Sequence, residues 1–322
     1  MTAGVEHEPD AVGSSHELAM LRAAELYYYG RLTHAQIAEQ LATSRWTVGR
    51  LLEQAREVGI VRIIIEHPLA RHHQLEVELR KQFGVRDALV VPGQTDSSVT
   101  MQAVCRAAAQ YLTALRPRPS VLGVSWGRTT SRVATAVSDG WNPGVTVVQT
   151  NGGLAMDGTG HVSAALRTIA ERGPGRARMM PAPTIVQSVS LARALVQDPA
   201  VAGTLALAAS ARTIVYSPGS ATSTSVLVDS GYLTVAEVAQ LQQRGVAGDV
   251  LSHFVDASGR IVDEELDART ISIALDSLRQ CPNSIAVVSG AEKVPAARAI
   301  LAAGLCTTII TDAELAAVLL AG

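Results

Sequence analysis

The chain has 322 residues, 48% of them hydrophobic, with a formal net charge of −2 and a pI near 6.5. Such values exclude an intrinsically disordered polyion and give no global basic footprint for nucleic acid, while the length allows two domains, one of them small. Three widely spaced cysteines, Cys105, Cys281 and Cys306, exclude a disulfide framework and read as small buried apolar side chains in a reducing cytoplasm.

In chain order, MTAGVEHEPDAVGSSHE is acidic and has no apolar centre, so it is not a secretory signal. Residues 1–16 are expected to form a disordered tail. Glu17–Gly30 reads as a helix ending in Tyr27-Tyr28-Tyr29-Gly30. Thr33–Gly59 reads as two short helices with a tight turn at Ala42-Thr43. Thr33 followed by Gln36 is a capping box, in which each side chain satisfies a free backbone N–H. Ser44 is a good N-cap for the second helix. Val48, Leu51, Leu52 and Ala55 then recur at i, i+3, i+4, i+7 and make the buried stripe. At about 100° per residue, Arg45, Trp46, Gly49 and Arg50 fall on the opposite side. Two guanidinium groups, an indole and a bare stretch of backbone on the outer face suit the recognition helix of a helix-turn-helix, entering the major groove by its N-terminal end. Thr33, Gln36, Ser44 and Thr47 complete the candidate DNA-binding set. Val61–Glu66 predicts a short strand beside this unit, a wing. The polar stretch Pro68–His73 is the expected boundary between a DNA-binding domain at 17–68 and a second domain at 69–322. Its neighbours His67, His72 and His73 read as solvated linker residues, and no metal site is expected.

From Gln74 the texture changes to apolar strands alternating with helical patterns. Strands are expected at Ala88–Val91, Val121–Val124, Val145–Gln149, Ala177–Met180, Thr213–Tyr216, Ile285–Val288 and Thr307–Ile310. Gln74–Phe83 reads as a helix, and helices are expected at Val99–Leu115, Ser131–Ser138, Val162–Arg172, Val235–Arg244, Ala296–Ala303 and Ala313–Leu320. This alternation predicts an α/β domain with a doubly wound, mostly parallel sheet. Gly248–Asp263 reads as a hairpin turning at Ala257-Ser258-Gly259. No run is long and apolar enough for a membrane span, so a cytoplasmic protein is expected.

Ligands of such sheets bind beyond the carboxyl ends of the strands. Four strands are followed by small polar residues: GVSWGRTT at Gly123–Thr130, TNGG at Thr150–Gly153, SPGS at Ser217–Ser220 and SGAEK at Ser289–Lys293. The first follows a strand and opens a helix, which makes an anion site, most naturally for phosphate. Ser125, Thr129 and Thr130 add hydroxyls and Arg128 a charge. The loop is neither a Walker motif nor a GxGxxG fingerprint. It also spells G-x-S-x-G at Gly123, Ser125 and Gly127, the nucleophile elbow of a serine hydrolase, with Asp249 and His253 following in that order. Asp249 is otherwise a candidate acceptor for sugar hydroxyls, and Asp256 a former of turns. Lys81 and Lys293 are the chain's two lysines; Lys293 follows a strand, where an ammonium suits a hydroxyl or phosphate oxygen.

LYYYGRLTHAQIAEQLATSRWTVGRLLEQAREVGIVRI resembles the N-terminal reader of SorC-type transcriptional regulators. VLGVSWGRT, GDVLSHFVDASGRIVD and SGAEKVPAARAILAAGLCTTIITDAELA resemble blocks of their sensor domain, so the likeness covers the chain from about Leu18 to its end. The resemblance implies a winged helix-turn-helix joined to a sugar-phosphate sensor, similar in fold to glucosamine-6-phosphate deaminase and ribose-5-phosphate isomerase. It implies a regulator of carbohydrate or polyol catabolism, without enzymatic activity or cofactor. The partners would be double-stranded operator DNA, a small phosphorylated sugar and further copies of the chain in a dimer or tetramer. Carried over by position, Ser125, Trp126, Gly127, Arg128 and Thr129 form the phosphate loop, and Asp249 and Lys293 hold sugar oxygens or phosphate. Asn151, Gly152, Gly153 and Gly219 join this effector-binding set. Gly49 departs from the serine usual there, and Tyr216-Ser217-Pro218 from a glycine-rich strand end. A sugar-phosphate isomerase or deaminase, or a serine hydrolase using Ser125, are the alternative readings.

Overall fold

The computed structural model describes residues 11–61, 72–154 and 160–321, and the chain divides into two compact units, Met1–His67 and Pro68–Gly322. The expected wing at Val61–Glu66 lies, but for Val61, outside the described residues.

The first unit contains helices α1 (Ala11–Tyr28), α2 (His34–Gln40) and α3 (Arg45–Glu57). Helix α1 begins at Ala11, so the expected disordered tail is too long: its last six residues are helical. Leu41 ends α2, and the turn that follows puts Ala42 at φ 50°. Ile37, Ala38, Val48, Leu51, Leu52 and Ala55 close on Met20, Ala23 and Ala24 of α1. Each aliphatic side chain of leucine size buried there contributes about 1.5–3 kcal/mol, enough to fix three short helices that would not persist singly.

The second unit runs α4 (His73–Phe83), β1 (Asp87–Val91), α5 (Ser97–Ala114), β2 (Val121–Val124), α6 (Arg128–Ala136), β3 (Thr146–Gln149), α7 (Gly160–Arg172) and β4 (Arg176–Arg178). It continues with α8 (Val189–Gln197), α9 (Pro199–Ala209), β5 (Thr213–Tyr216), α10 (Val226–Asp229), α11 (Val235–Gln243), β6 (Val246–Val250) and β7 (His253–Asp256). It ends with α12 (Glu264–Asp267), α13 (Leu275–Gln280), β8 (Asn283–Val287), α14 (Val294–Ala302), β9 (Thr308–Asp312) and α15 (Ala313–Leu320). Seven strands form one sheet in the order β1-β9-β8-β5-β2-β3-β4, and every pairing in it is parallel. Successive residues serve opposite faces. Ala88, Val90, Ile214 and Ile309 pack in one core, and Leu89, Val91, Val215 and Ile310 in the other. Strands buried on both sides explain the near-continuous apolar runs of the sequence.

The order of strands places the ligand crevice. After β2 the chain winds outward through β3 and β4, then returns to the other side of β2 as β5 and winds outward through β8 and β9. The reversal falls between β2 and β5, so the connections leaving these two strands part in opposite directions and open a crevice at their carboxyl ends.

The stretch Gly248–Asp263 reverses twice where one turn was expected. Strands β6 and β7 pair antiparallel and turn at Leu251-Ser252, with φ 53° and 75°, and the expected turn at Ala257-Ser258-Gly259 then brings Ile261 back antiparallel to Val255. Neither Leu251 nor Ser252 is a usual choice for positive φ. Tertiary bonds hold them: the Asp249 carboxylate accepts from the Ser252 N–H at 3.2 Å, and the Ser252 hydroxyl meets Asn151 Nδ2 at 3.1 Å and Thr184 Oγ1 at 2.8 Å. At the Ala257–Gly259 turn the Asp256 N–H donates to the Arg260 carbonyl at 2.9 Å, and beyond it the Val262 N–H donates to the Phe254 carbonyl at 3.0 Å. In that turn the Asp256 carboxylate accepts from the Ser258 hydroxyl at 2.6 Å and from the Arg260 and Ser258 N–H groups, and these bonds, the hydroxyl's foremost, hold its pKa well below the usual range.

Candidate functional site

Four strand ends converge on a cavity of about 360 Å³. Ser125, Trp126, Gly127, Arg128 and Thr129 reach it from the end of β2 and the start of α6, and Asn151 from the end of β3. Gly219 arrives from the loop after β5, Asp249 from β6, and Lys293 from the turn after β8. Nine residues expected at the effector site therefore line one space.

The other three do not. Thr130 is buried on α6 and its hydroxyl is spent on the Gly127 carbonyl at 3.0 Å. Gly152 is packed against backbone: a Cβ there would stand 2.2 Å from the Pro183 oxygen. Gly153 bonds to the segment after β4, its N–H donating to the Ala182 carbonyl at 2.8 Å. Gly152 serves close chain packing, and neither glycine lines the cavity. Met101, Arg132, Ser217, Ser220, Val226, Leu227 and Glu292 also line the cavity. Ser217 carried a readable signal in its SPGS loop. The α10 residues carried none, because a four-residue helix has no period.

The Lys293 ammonium donates to Ser217 Oγ at 2.8 Å and to Thr129 Oγ1 at 3.2 Å. Burial pushes its pKa down, against the charges of Glu292 and Asp249. Burial pushes the Asp249 carboxyl up to about 6, against the Ser252 N–H and the Lys293 charge. A Cβ at Gly219 would fall 1.9 Å from Asp249 Oδ1, so only glycine lets the carboxylate stand where it does. Ser125 is 3% exposed, and its hydroxyl has no hydrogen-bond partner among the described residues. A buried orphan oxygen costs about 1–3 kcal/mol, a cost that a ligand in the cavity would relieve. Trp126 is fixed by its indole N–H, which donates to the Gly152 carbonyl at 2.8 Å.

A serine-hydrolase triad is not assembled. The ring of His253 is committed elsewhere, with Nδ1 2.6 Å from Asp267 Oδ1 and Nε2 3.0 Å from the Ile273 carbonyl. Among the described residues no base is hydrogen-bonded to Ser125.

Asp249 implies a pH dependence of known sign. Its folded pKa lies above the ordinary 3.8, so the folded chain binds the extra proton. Its contribution to stability is complete below the ordinary value and is lost as pH rises through about 6. Asp249→Asn is expected to remove that slope when Tm is followed from acid to neutral pH. An unchanged slope would mean that the carboxyl is not buried.

On α3 the apolar stripe is buried and Arg45, Trp46 and Arg50 are exposed, Trp46 at 70%. The Arg50 guanidinium lies 4.9 Å from the Trp46 ring centroid, a cation–π contact across one turn of the helix. Thr33 and Gln36 form the capping box. Ser44 accepts from the Thr47 N–H at 3.1 Å and its hydroxyl meets that of Thr47 at 2.8 Å. The hydroxyls of Thr33, Ser44 and Thr47 and the Gln36 amide oxygen are thus engaged in caps.

The three cysteines are buried and free. His73 Nδ1 lies 3.0 Å from Glu76 Oε2, and His67 lies outside the described residues. Among the described residues no helix is long and apolar enough to cross a membrane.

Residues 67–321 match a family model described as "Putative sugar-binding domain". The chain is 31% identical to the deoxyribonucleoside regulator of Bacillus subtilis (strain 168), over 91% of this chain and 94% of that protein. It is 29% identical to the transcriptional regulator LsrR of Enterobacter sp. (strain 638), over 95% and 94%. Its fold matches the full-length sorbitol operon regulator SorC from Klebsiella pneumoniae with a TM-score of 0.70, at 26% identity over 95% of this chain and 99% of that one. These relatives are regulators, not enzymes, and the chain belongs to the SorC-type family of sugar-binding transcriptional regulators.

Proposed function

We propose that this regulator holds double-stranded operator DNA with residues 17–68 and takes a phosphorylated sugar or polyol as effector in residues 69–322. The observation that carries the phosphate is the unpartnered Ser125 hydroxyl, buried beside the start of α6. The free N–H groups of that helix start and the Arg128 guanidinium surround the same space, as an anion site requires. Lys293, Ser217 and Asp249 then supply donors and an acceptor for the hydroxyls of the carbon chain. The names of the relatives speak of deoxyribonucleosides and of a sorbitol operon, which supports a small effector built on a sugar or polyol.

On the DNA side the exposed Arg45, Trp46 and Arg50 present the groups that read groove edges and phosphates. A Cβ at Gly49 would meet nothing within 4 Å, so the fold itself does not require glycine there. Close approach of backbone to DNA is a sufficient reason for it. One such face carries few positive charges, and a dimer or tetramer supplies the repeated half-sites that affinity needs. Effector binding changes operator affinity only by its differential affinity for two states of the assembly.

A thermal-shift screen tests this reading. Sugar phosphates at about 100 times their Kd are expected to add about 2.7 kcal/mol of stability. Their neutral parent sugars should add far less, and operator DNA should change the response. Equal stabilisation by the neutral sugars would remove the phosphate from the proposal.

A further inference from the structure

Six charged groups stand on or beside the cavity. Arg128, Arg132 and Lys293 are set against Asp249 and Glu292 on its wall, and the sixth, Asp229, is joined to Arg128. The guanidinium of Arg128 donates to the Asp229 carboxylate. Arg128 is the first residue of α6, at the proposed phosphate position; Asp229 is the last residue of α10. Helix α10 also lends Val226 and Leu227 to the cavity wall. Leu227 is anchored beneath in an apolar cluster with Leu154, Leu233 and Phe254.

Resting on the phosphate reading above, we propose that Asp229 is a built-in competitor for the effector's phosphate and a determinant of effector affinity. Before effector binds, its carboxylate occupies the cation that an incoming phosphate needs. A phosphomonoester entering the α6 start meets Arg128 already paired, and meets a like charge behind it. To gain the full guanidinium contact it must displace Asp229. The pair is built to yield: its side chains are 61% and 53% exposed, and ion pairs in water hold only weakly. Once displaced, Asp229 faces a like charge at short range, and α10 moves with it because the carboxylate sits at that helix's last residue. The segment that answers the effector is therefore α10, and the effector class is one with a dianionic end. A neutral sugar would leave the pair intact.

The experiment is a calorimetric titration of the full chain with inorganic phosphate, at low and at high ionic strength. It compares wild type, Asp229→Asn, Asp229→Ser and, as control, Asp276→Asn, which breaks the exposed Arg279 pair on α13, a helix that does not line the cavity. Both Asp229 variants are expected to bind phosphate about two- to fivefold more tightly at low salt, with the gain fading as salt screens the charge. The control should match wild type. In wild type, phosphate should speed amide hydrogen exchange in residues 226–230. If wild type binds phosphate and folded Asp229 variants bind it no better, Asp229 is not a competitor and the inference falls alone. If wild type binds neutral sugars but shows no saturable phosphate binding, the phosphate reading falls and takes this inference with it.

Discussion

Lys293→Met is expected to abolish the effector response while leaving the protein folded. The ammonium is half-buried and shared between two hydroxyls, Ser217 and Thr129, beside a carboxyl whose own pKa is raised by burial. Removing a charged donor from its hydrogen bond to an effector hydroxyl costs about 1.5–3 kcal/mol of binding, which is roughly a tenfold or larger rise in Kd. Stability should not follow. Burial already pushes the lysine's pKa down, so the charged group is held against solvation and its loss relieves that cost. Methionine keeps most of the aliphatic stem and its packing. The measurement is a thermal-shift and calorimetric comparison with the best sugar phosphate from the screen. Full stabilisation in the variant would place the effector elsewhere.

Arg50→Ala should have the opposite profile. Effector binding is expected to stay as in wild type, because α3 belongs to the other compact unit. Operator binding should weaken by about 1–3 kcal/mol for each bidentate pairing of the guanidinium with a base edge, counted once per half-site. The side chain is exposed and stacked on Trp46, so the melting temperature should barely change. Binding to a selected operator, followed by fluorescence anisotropy, gives the answer. Equal affinity would mean that this face of α3 does not meet the DNA.

The outlines of both units were legible because local rules and tertiary packing agree there. The stripe Val48, Leu51, Leu52, Ala55 has a helical period and is buried as that period demands. Strands such as LVV in β1 and IIT in β9 are apolar on both faces because helices cover both. What was missed has physical causes. Helix α9 reads PAVAGTLALAA; apolar nearly all round, it offers no period to detect, although Asp198 and Pro199 mark its start. The β6–β7 turn lacks glycine or asparagine because hydrogen bonds from distant Asn151 and Thr184 hold it. Gly152 and Gly153 looked like a ligand loop, yet glycine marks close approach of any kind, and at Gly152 the approach is by Pro183.

The amino-acid order alone determined the two-part plan, the exposed face of α3 and the strand ends at which polar loops occur. Those follow from hydrophobic period and capping, which act over a few residues. Only the folded chain decided which loops share a cavity, that Asp249 stands there because Gly219 yields space, and that Arg128 meets Asp229. The separation of Arg128 from Asp229 is 101 residues, and no local rule spans it. The reversal of winding between β2 and β5 sets their meeting, because strand order is fixed by packing of the whole sheet.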